Sequence, residues 1–359
     1  MLLVLCGALA FATIDEPDSS RIEEDLLILT GEKEYESAAG PVTIESRNIF
    51  HPGNELARAY LRQRLEDIDG LSVTEQSFLV DGQLTYNLIG DISGMPHLPM
   101  LVLGAHYDST GTRGEGYDPA TDPAPGADDD ASGVAGVLEV ARLFAASESG
   151  HQYPLRFVLF SAEEEGLLGS KAYVNEYAAE PVRLMVQFDP IGYNPGDLDR
   201  VFVVYDEHWK DGPAFVDGVS DTFLDLVAMD RELIGGGERS DHAPFWSAGY
   251  SALHVATFPM PVQNHTGEDT LDLVDIEMLT EVVDVTAEHF DTLARPRPAR
   301  VCGSSPVNSD GWWYGGGWLF LALIYSIGQR GPRLARPVMV SKVLPMVPAA
   351  KVLARPAGR

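Results

Sequence analysis

Five short segments of this 359-residue chain carry side chains suited to metal binding and proton transfer. They are His106-Tyr-Asp108, Gly126-Ala-Asp-Asp-Asp-Ala-Ser-Gly133, Glu163-Glu-Glu165, Asp189 and Asn264-His-Thr-Gly-Glu-Asp269. Imidazoles and carboxylates without a thiolate suit Zn²⁺ or a similar divalent ion. Three consecutive aspartates repel one another, so a turn that contains them calls for a cation. A carboxylate that binds no metal could then accept a proton from water.

The elements that must position these side chains are four apolar runs without polar alternation, which is typical of strands covered on both faces. Amphipathic stretches separate them, and strands that alternate with helices indicate an α/β three-layer sandwich with a mostly parallel central sheet in a single catalytic domain. The predicted strands are Pro99–Ala105, Leu155–Phe160, Leu184–Phe188 and Ser251–Val255, and the predicted helices are Asn54–Ile68, Ser132–Ala146 and Ile276–Leu293.

Ligands of such sheets bind beyond the carboxyl ends of the strands, and the candidate residues lie there. His106 directly follows the first predicted strand, and Asp189 directly follows the third. The glutamates come shortly after the second strand, and His265 lies about ten residues after the fourth. Taken singly, each has an ordinary explanation: a histidine satisfied by Asp108, a helix cap followed by solvated acids, or an exposed acidic turn. Their joint placement predicts one metal centre.

Charge and composition restrict the function classes further. The chain has 54 acidic and 25 basic residues, and this net charge of −29 would repel a phosphate backbone, so nucleic acid is excluded as a partner. With 45% hydrophobic residues the chain can bury a substantial core. Cys6 and Cys302 are the only cysteines, which excludes an internal disulfide framework and a cysteine-based zinc site.

The two ends differ from the middle in character. Residues 1–12 are apolar and close with Ala10-Phe-Ala12, which predicts a signal peptide and hence an exported protein, whether periplasmic, cell-surface or secreted. A buried N-terminal strand or helix is the alternative. Residues 20–294 form the predicted catalytic domain, and the Pro- and Ser/Gly-rich stretch 295–311 is a predicted linker.

The C-terminal tail, 312–359, combines an apolar run with a basic segment. Its run of 16 apolar residues, Trp312–Ile327, is shorter than the roughly 20 needed to cross a bilayer, and three arginines follow it. Aromatic residues on one side and arginines on the other are typical of a membrane or sorting segment, so we expect the tail to allow membrane association. A disordered extension is the alternative.

The motifs resemble those of the co-catalytic di-zinc aminopeptidases, the family of secreted bacterial leucyl aminopeptidases, over roughly residues 45–293. This family shares its fold with glutamate carboxypeptidases and glutaminyl cyclases. The resemblance rests on six blocks in the family's order. They are Gly104-Ala-His-Tyr-Asp-Ser109, Ala124-Pro-Gly-Ala-Asp-Asp-Asp-Ala-Ser-Gly133, Ala162-Glu-Glu-Glu-Gly-Leu-Leu-Gly-Ser170, Phe188-Asp189, Ser240-Asp-His242 with Ala248-Gly-Tyr250, and His265-Thr-Gly-Glu-Asp-Thr270.

The resemblance implies a site with two Zn²⁺ ions per chain. It implies that Asp129 bridges both ions and that Glu163 is the general base. The remaining implied ligands are His106 and Asp189 for one zinc, and Glu164 and His265 for the other. Two further residues, Asp108 and Asn264, have expected supporting roles. Asp108 would orient the ring of His106. Asn264 stands where some relatives carry a tyrosine, and we hypothesise that it donates a hydrogen bond to the oxyanion.

The implied function is metal-dependent hydrolysis of N-terminal residues from peptides, with peptide or protein N-termini as substrates. A carboxypeptidase of acidic peptides on the same scaffold is one alternative, and it would need a basic cluster, for which Arg113, Arg231 and Arg239 are the loop candidates. A glutaminyl cyclase with a single zinc is another. A non-catalytic binding descendant is the third, but such relatives lose ligands and this chain retains the whole set.

Overall fold

The computed structural model describes residues 14–147, 151–206, 211, 215, 216, 225–230 and 238–295. The predicted signal peptide, the tail and all of the predicted linker beyond Arg295 lie outside the described residues. What the sequence indicates about them stays a prediction. Within the described part, every helix is too short or too polar to cross a bilayer.

An eight-stranded sheet forms the centre of the fold. Its strands in chain order are β3 (Ser72–Val80), β4 (Gln83–Ile92), β5 (Met100–His106), β6 (Leu155–Phe160), β7 (Val182–Phe188), β8 (Arg200–Tyr205), β9 (Asp225–Asp230) and β10 (Ala252–Thr257). Across the sheet the order is β3-β4-β6-β5-β7-β10-β8-β9. A separate two-stranded hairpin precedes it, formed by β1 (Tyr35–Ser37) and β2 (Gly40–Val42).

The middle of the sheet is parallel, as the sequence predicts. Strands β6, β5, β7 and β10 run in the same direction, and β8 pairs with β9 in parallel as well. Antiparallel pairs join β3 to β4, β4 to β6 and β10 to β8. The carboxyl ends of β5, β6 and β7 therefore meet at one edge.

Helices cover both faces of the sheet and complete three layers. They are α1 (Ser19–Leu29), α2 (Pro52–Glu66), α3 (Gly133–Ala146), α4 (Leu168–Glu176), α5 (His242–Ser247) and α6 (Ile276–Ala294). On one face α1, α2, α3 and α6 contribute to a single large apolar core, which includes Leu103 and Val186 of the sheet. On the other face α4 and α5 bury Tyr173 and Phe245 against Phe160. The predicted α/β three-layer class is confirmed.

Capping residues fix the starts of two of these helices. Helix α2 begins at Pro52, and the ring Nδ1 of the preceding His51 accepts a hydrogen bond from Gly53 N at 2.9 Å. Helix α6 begins after Asp275, whose carboxylate accepts from the amides of Glu277 and Met278. Both contacts satisfy amides that the first helical turn leaves without partners. The observed bounds lie within two residues of those predicted.

Candidate metal centre

His106 and Asp189 meet because they end neighbouring parallel strands. His106 is the last residue of β5, and Asp189 follows the last residue of β7 directly. The His106 side chain is 1% exposed, and its Nε2 lies 3.5 Å from Oδ1 of Asp189. Thus the sheet register alone brings an imidazole and a carboxylate from distant parts of the chain to one point.

The acidic turn supplies the carboxylate at the centre of the site. Residues Ala127–Ser132 form an irregular turn in front of α3, in which Asp129 and Asp130 have non-helical backbone angles and the peptide bond between them is cis. The Oδ1 atom of Asp129 lies 3.1 Å from Nε2 of His106, and its Oδ2 atom lies 3.1 Å from Nε2 of His265. One carboxylate therefore lies between two imidazoles that are 159 residues apart in the numbering, with a different oxygen facing each.

The three aspartates of this turn have different contacts. The Oδ1 atom of Asp128 accepts a hydrogen bond from Gly192 N at 3.0 Å. The two oxygens of Asp130 accept from the amides of His106 and Gly133, at 3.1 and 3.0 Å. Both oxygens of Asp130 are therefore hydrogen-bonded to the main chain, although its carboxylate also lies near His106 and Asp189. Asp129 is the member of the three that faces both histidines.

The glutamates after β6 complete the cluster. Glu164 Oε2 lies 3.3 Å from Nε2 of His265, and Asp129, Glu164 and His265 offer ligand atoms within 4.8 Å of one another. Glu163 is 9% exposed and shares a second such group with His106 and Glu164. Glu165, the third glutamate of the run, is exposed. The structure thus separates two buried glutamates from one that faces solvent.

Two residues of the site adopt the left-handed backbone conformation that residues with a side chain rarely take. His265 has φ 61°, and Ala162, which immediately precedes Glu163, has φ 56°. Such conformations cost free energy and persist where the surrounding structure enforces them, commonly at functional sites. Here they turn His265 and the two glutamates toward the acidic turn.

Two further carboxylates hold the ligand-bearing segments by their main chains. Asp108 accepts hydrogen bonds from the amides of Glu163 and Glu164, both at 3.1 Å. Asp269 accepts from the amides of Asp128 and Asp129, at 3.0 and 3.1 Å. Sequence reasoning gave Asp269 no role, although it lies four residues after His265 in a segment already singled out.

Asp108 and Asn264, the two residues with expected supporting roles, both contact predicted metal ligands. The ring Nδ1 of His106 lies 3.1 Å from the main-chain oxygen of Asp108 and 3.7 Å from its carboxylate, because the carboxylate points toward the glutamates. The side-chain amide of Asn264, for which we hypothesise a hydrogen bond to the oxyanion, donates to Oδ2 of Asp129. Asn264 is 1% exposed, so its side chain is directed into the acidic turn.

Electrostatics in this cluster are dominated by buried acids. Burial, with neighbouring carboxylates, raises the pKa of Glu163 and of Glu164 well above the usual value. Burial also opposes ionisation of Asp129, but the imidazoles of His106 and His265 that face this carboxyl outweigh it and hold its pKa low. The same contacts act on His106, where the carboxylates of Asp189, Asp108 and Asp129 overcome burial and raise the pKa of the ring.

Beneath the site lies one more buried acid, Asp241, at the start of α5. Its carboxylate accepts a hydrogen bond from Ser170 and lies 3.5 Å from the amide nitrogen of Gln187. Burial raises its pKa to about 7; the charge of His106 lowers the pKa, and the carboxylates of Asp108 and Asp189 raise it. Asp241 belongs to Ser240-Asp-His242, one of the six blocks on which the family resemblance rests. The sequence alone assigns it no role.

The donor set fits divalent cations. Within the described residues, Oδ1 of Asp129 and Oε1 of Glu164 are buried atoms without a hydrogen-bond partner. Unpaired buried carboxylate oxygens are costly unless a cation compensates them. The Asp129 oxygen lies 3.1 Å from a histidine nitrogen without forming a hydrogen bond, which is the relation of two ligands of one ion. Imidazoles and carboxylates in this number suit zinc.

One arginine of the three proposed for binding a substrate carboxylate reaches this site. Arg113 Nη1 lies 3.4 Å from the main-chain oxygen of Asn264, and its amide donates to the oxygen of His265. Its side chain and that of Arg239 are exposed, while Arg231 lies outside the described residues. The described part of the site therefore contains a lone arginine at its rim.

The model of Peptidase family M28 matches residues 87–290, more than half of the chain and all of the residues that form the cluster. This chain belongs to peptidase family M28. Among its relatives, "Leucine aminopeptidase 1" of Blastomyces gilchristii (strain SLH14081) is 32% identical over 215 residues, 56% of this chain and 54% of the relative. "Leupeptin-inactivating enzyme 1" of Streptomyces exfoliatus is 39% identical over 197 residues, 53% and 40% of the two chains.

A solved M28-like structure supports the fold. The LapA aminopeptidase of Legionella pneumophila superposes with a TM-score of 0.64 at 22% identity, covering 78% of this chain and 72% of that one. At this identity the likeness concerns architecture. This chain spans about half or less of the length of the two relatives above. The activities in their names are therefore carried over to this chain only as a proposal.

Proposed function

We propose that this protein is a zinc-dependent aminopeptidase that hydrolyses N-terminal residues from peptides. The observation that carries the proposal is the carboxylate of Asp129 between the imidazoles of His106 and His265, with buried Glu163 beside them. Membership of peptidase family M28 and the names of the leucine aminopeptidase relatives support the reaction class.

The chain offers ligands for two zinc ions that share one carboxylate. His106, Asp129 and Asp189 would hold the first, and Asp129, Glu164 and His265 would hold the second. When bound, zinc would polarise the scissile carbonyl and lower the pKa of water so that it attacks at neutral pH. Asp108 and Asp269 would keep the ligand-bearing main chain in place.

Glu163 is the residue we assign as general base. It directly precedes the ligand Glu164 and is buried within the cluster. Neither of its carboxylate oxygens is a ligand in the two sets given above, so the carboxylate is free to accept a proton. Burial raises the pKa of its carboxyl, which brings the group closer to the range where it can both accept and return a proton at neutral pH. Glu163 would take the proton of the attacking water and deliver it to the leaving amine.

The acidic surroundings favour a substrate with a free α-ammonium group. Residues 1–294 contain 53 acidic and 15 basic side chains, and the site itself is lined by carboxylates. Such a field attracts a cationic N-terminus and repels a C-terminal carboxylate. A carboxypeptidase would require a basic cluster, whereas the described residues of the site provide only Arg113. We propose peptide or protein N-termini as the substrate, in an exported enzyme.

The test uses the full chain purified with and without added zinc. Zinc per chain is measured by mass spectrometry, and hydrolysis is followed on aminoacyl-nitroanilides, on acidic dipeptides blocked at the N-terminus, and on peptides with N-terminal glutamine. We expect about two zinc ions per chain and nitroanilide hydrolysis that chelation abolishes and zinc restores. Turnover of the blocked acidic dipeptides alone would identify a carboxypeptidase, and cyclisation of glutamine with one zinc would identify a cyclase.

A further inference from the structure

Arg47 lies in the segment that connects β2 to α2 along the chain and is fully buried. Its guanidinium has no carboxylate partner within ion-pair distance in the described residues. Four of its N–H groups donate to main-chain carbonyls instead. Nε donates to Tyr107 O at 2.8 Å, and Nη2 donates to Gly126 O at 2.9 Å. Nη1 donates to Leu29 O at 3.0 Å and also to Pro125 O. Buried arginines are rare without an acidic partner, so this arrangement calls for an explanation.

Three of the four carbonyls that Arg47 contacts belong to segments that carry predicted metal ligands. Tyr107 follows His106 directly, and Gly126 opens the acidic turn three residues before Asp129. The fourth carbonyl is that of Leu29, the last residue of α1. One rigid guanidinium fork thus joins the residue after His106 to the residue that opens the acidic turn.

The main chain at this junction is close-packed as well. Gly126 has φ 53°, and a side chain there would collide with Cβ of Ser109 and with the main-chain oxygen of Asp129. The amide of Arg47 donates to Oγ of Ser109 at 3.0 Å, and this hydroxyl donates to Ala124 O at 2.6 Å. The Gly126 carbonyl that Arg47 binds also accepts from Ala131 N within the acidic turn. Arg47 therefore contacts the turn's own hydrogen-bond system.

The charge of Arg47 also suits its place below an acidic site. Burial lowers the pKa of its guanidinium to about 10, and the carboxylates of Asp269, Asp130, Asp108 and Asp129 act in the opposite direction. The group is therefore protonated at neutral pH. Its positive charge lies behind the acidic turn, where it offsets the mutual repulsion of the carboxylates without occupying any of their oxygens.

We propose that Arg47 is a positioning residue of the metal centre, which fixes the acidic turn relative to the end of β5 and so sets the spacing of His106 and Asp129. The inference rests on the proposed metal site. It extends that site beyond residues 87–290, which the family model covers, to a residue whose guanidinium donates only to main-chain carbonyls among the described residues.

The experiment compares Arg47→Met, Arg47→Lys and a matched control, Arg156→Met. Arg156 is also largely buried, but it pairs with Asp91 and Glu180 on the far side of the sheet from α3. Amide hydrogen exchange of residues 127–133 is measured on the metal-free full chain, and zinc affinity is measured by competition with a chromophoric chelator. For Arg47→Met we expect at least tenfold faster exchange at Ala131 and at least tenfold weaker zinc binding.

Arg47→Lys keeps the charge but lacks the planar fork, so we expect intermediate values; it decides the question if the methionine variant does not fold. Arg156→Met should unfold at a lower temperature with unchanged exchange at Ala131 and unchanged zinc affinity. Wild-type exchange and wild-type zinc affinity in the Arg47 variants would overturn the inference. If the wild-type chain binds no zinc, the proposed function fails, while the exchange measurement still decides the role of Arg47.

Discussion

Asp108 and Asp269 make the same contact on two sides of the metal centre. Each carboxylate accepts hydrogen bonds from two consecutive main-chain amides, those of Glu163 and Glu164 for Asp108, and those of Asp128 and Asp129 for Asp269. Hydrogen bonds to an ionised acceptor are stronger than those between neutral groups. Asp108 and Asp269, which bind no metal in our assignment, therefore fix the position of the main chain from which the ligand side chains project.

The first prediction concerns Asp269. An asparagine at this position has one acceptor oxygen, so Asp269→Asn leaves the amide of Asp128 or Asp129 facing an NH₂ group. We expect a loss of about 1–3 kcal/mol in the free energy of unfolding, because a buried donor loses its partner. We also expect weaker zinc binding, since the acidic turn can then shift. Urea unfolding of the metal-free protein and zinc titration measure the two effects.

Glu268→Gln is the matched control, because Glu268 is exposed and directly precedes Asp269. It changes charge by the same amount but touches no amide of the acidic turn. If both variants unfold at the same urea concentration as the wild type, the carboxylate of Asp269 does not support the turn.

The sequence could predict the core of the sheet because its strands are buried on both faces. Strands β5, β6 and β7 are mostly apolar and lack polar alternation, and their order with α3 is enough to indicate that His106 and Asp189 end at one edge. The hairpin β3–β4 was not predicted because polar residues interrupt the apolar ones along both strands, and two of its leucines, Leu79 and Leu84, are exposed. Whether such a segment forms a strand depends more on its packing against neighbouring strands than on its own amino-acid composition.

Spacing alone predicts the site as a set of residue types and does not distinguish Asp128, Asp129 and Asp130. The family resemblance selects Asp129, and this is the aspartate of the three that faces both histidines. Arg47 could not be found at all, because it lies some 60 residues before the nearest predicted ligand and makes its contacts through main-chain carbonyls. Such contacts depend on the three-dimensional course of the main chain. Because every residue has a main-chain carbonyl, the residue types of the partner segments do not predict them.

The second prediction concerns Glu163, which we assign as the general base. Glu163→Gln keeps the size of the side chain but cannot accept the proton, so we expect kcat on a leucyl-nitroanilide to fall by about 10²–10⁴-fold. KM and the zinc content should stay near the wild-type values. The exposed neighbour Glu165 provides the control, and Glu165→Gln should retain kcat within about twofold. Full activity of Glu163→Gln would exclude this residue as the base.

The third prediction separates Asp129 from Asp130. Because the two Asp129 oxygens face different histidines, Asp129→Asn should reduce the zinc content after dialysis against a weak chelator to less than half of the wild-type value. Asp130 accepts only from the amides of His106 and Gly133, so Asp130→Asn should lower the unfolding temperature more than the zinc content. Metal analysis and thermal unfolding of both variants test this, and the reverse pattern would make Asp130 the ligand.

The fourth prediction concerns Arg113 at the rim of the site. A nitroanilide substrate carries no carboxylate, and the exposed guanidinium contacts only the main-chain oxygen of Asn264 among the described residues. We therefore expect Arg113→Ala to retain kcat/KM on aminoacyl-nitroanilides within about threefold. A loss of a hundredfold or more, confined to substrates with a free C-terminal carboxylate, would instead support the carboxypeptidase alternative.

The last prediction concerns the pH dependence of stability in the metal-free protein. Burial raises the pKa of Asp241 to about 7, so the folded state keeps this proton at pH values where the unfolded chain, with its ordinary aspartate pKa, has released it. The folded state then binds more protons than the unfolded one, and stability must fall as pH rises between about 4 and 7. The contribution of this group is on the order of 4 kcal/mol across that range.

Asp241→Asn removes the titration while keeping an acceptor for Ser170, so its stability should decline less steeply with pH than that of the wild type. Other buried acids, Glu163 among them, also have raised pKa values and produce a remaining slope in both proteins. Urea unfolding at pH 5, 6, 7 and 8 with a chelator present provides the comparison, and the difference between the two curves isolates Asp241. Parallel curves would show that Asp241 is already ionised in the folded protein at pH 5.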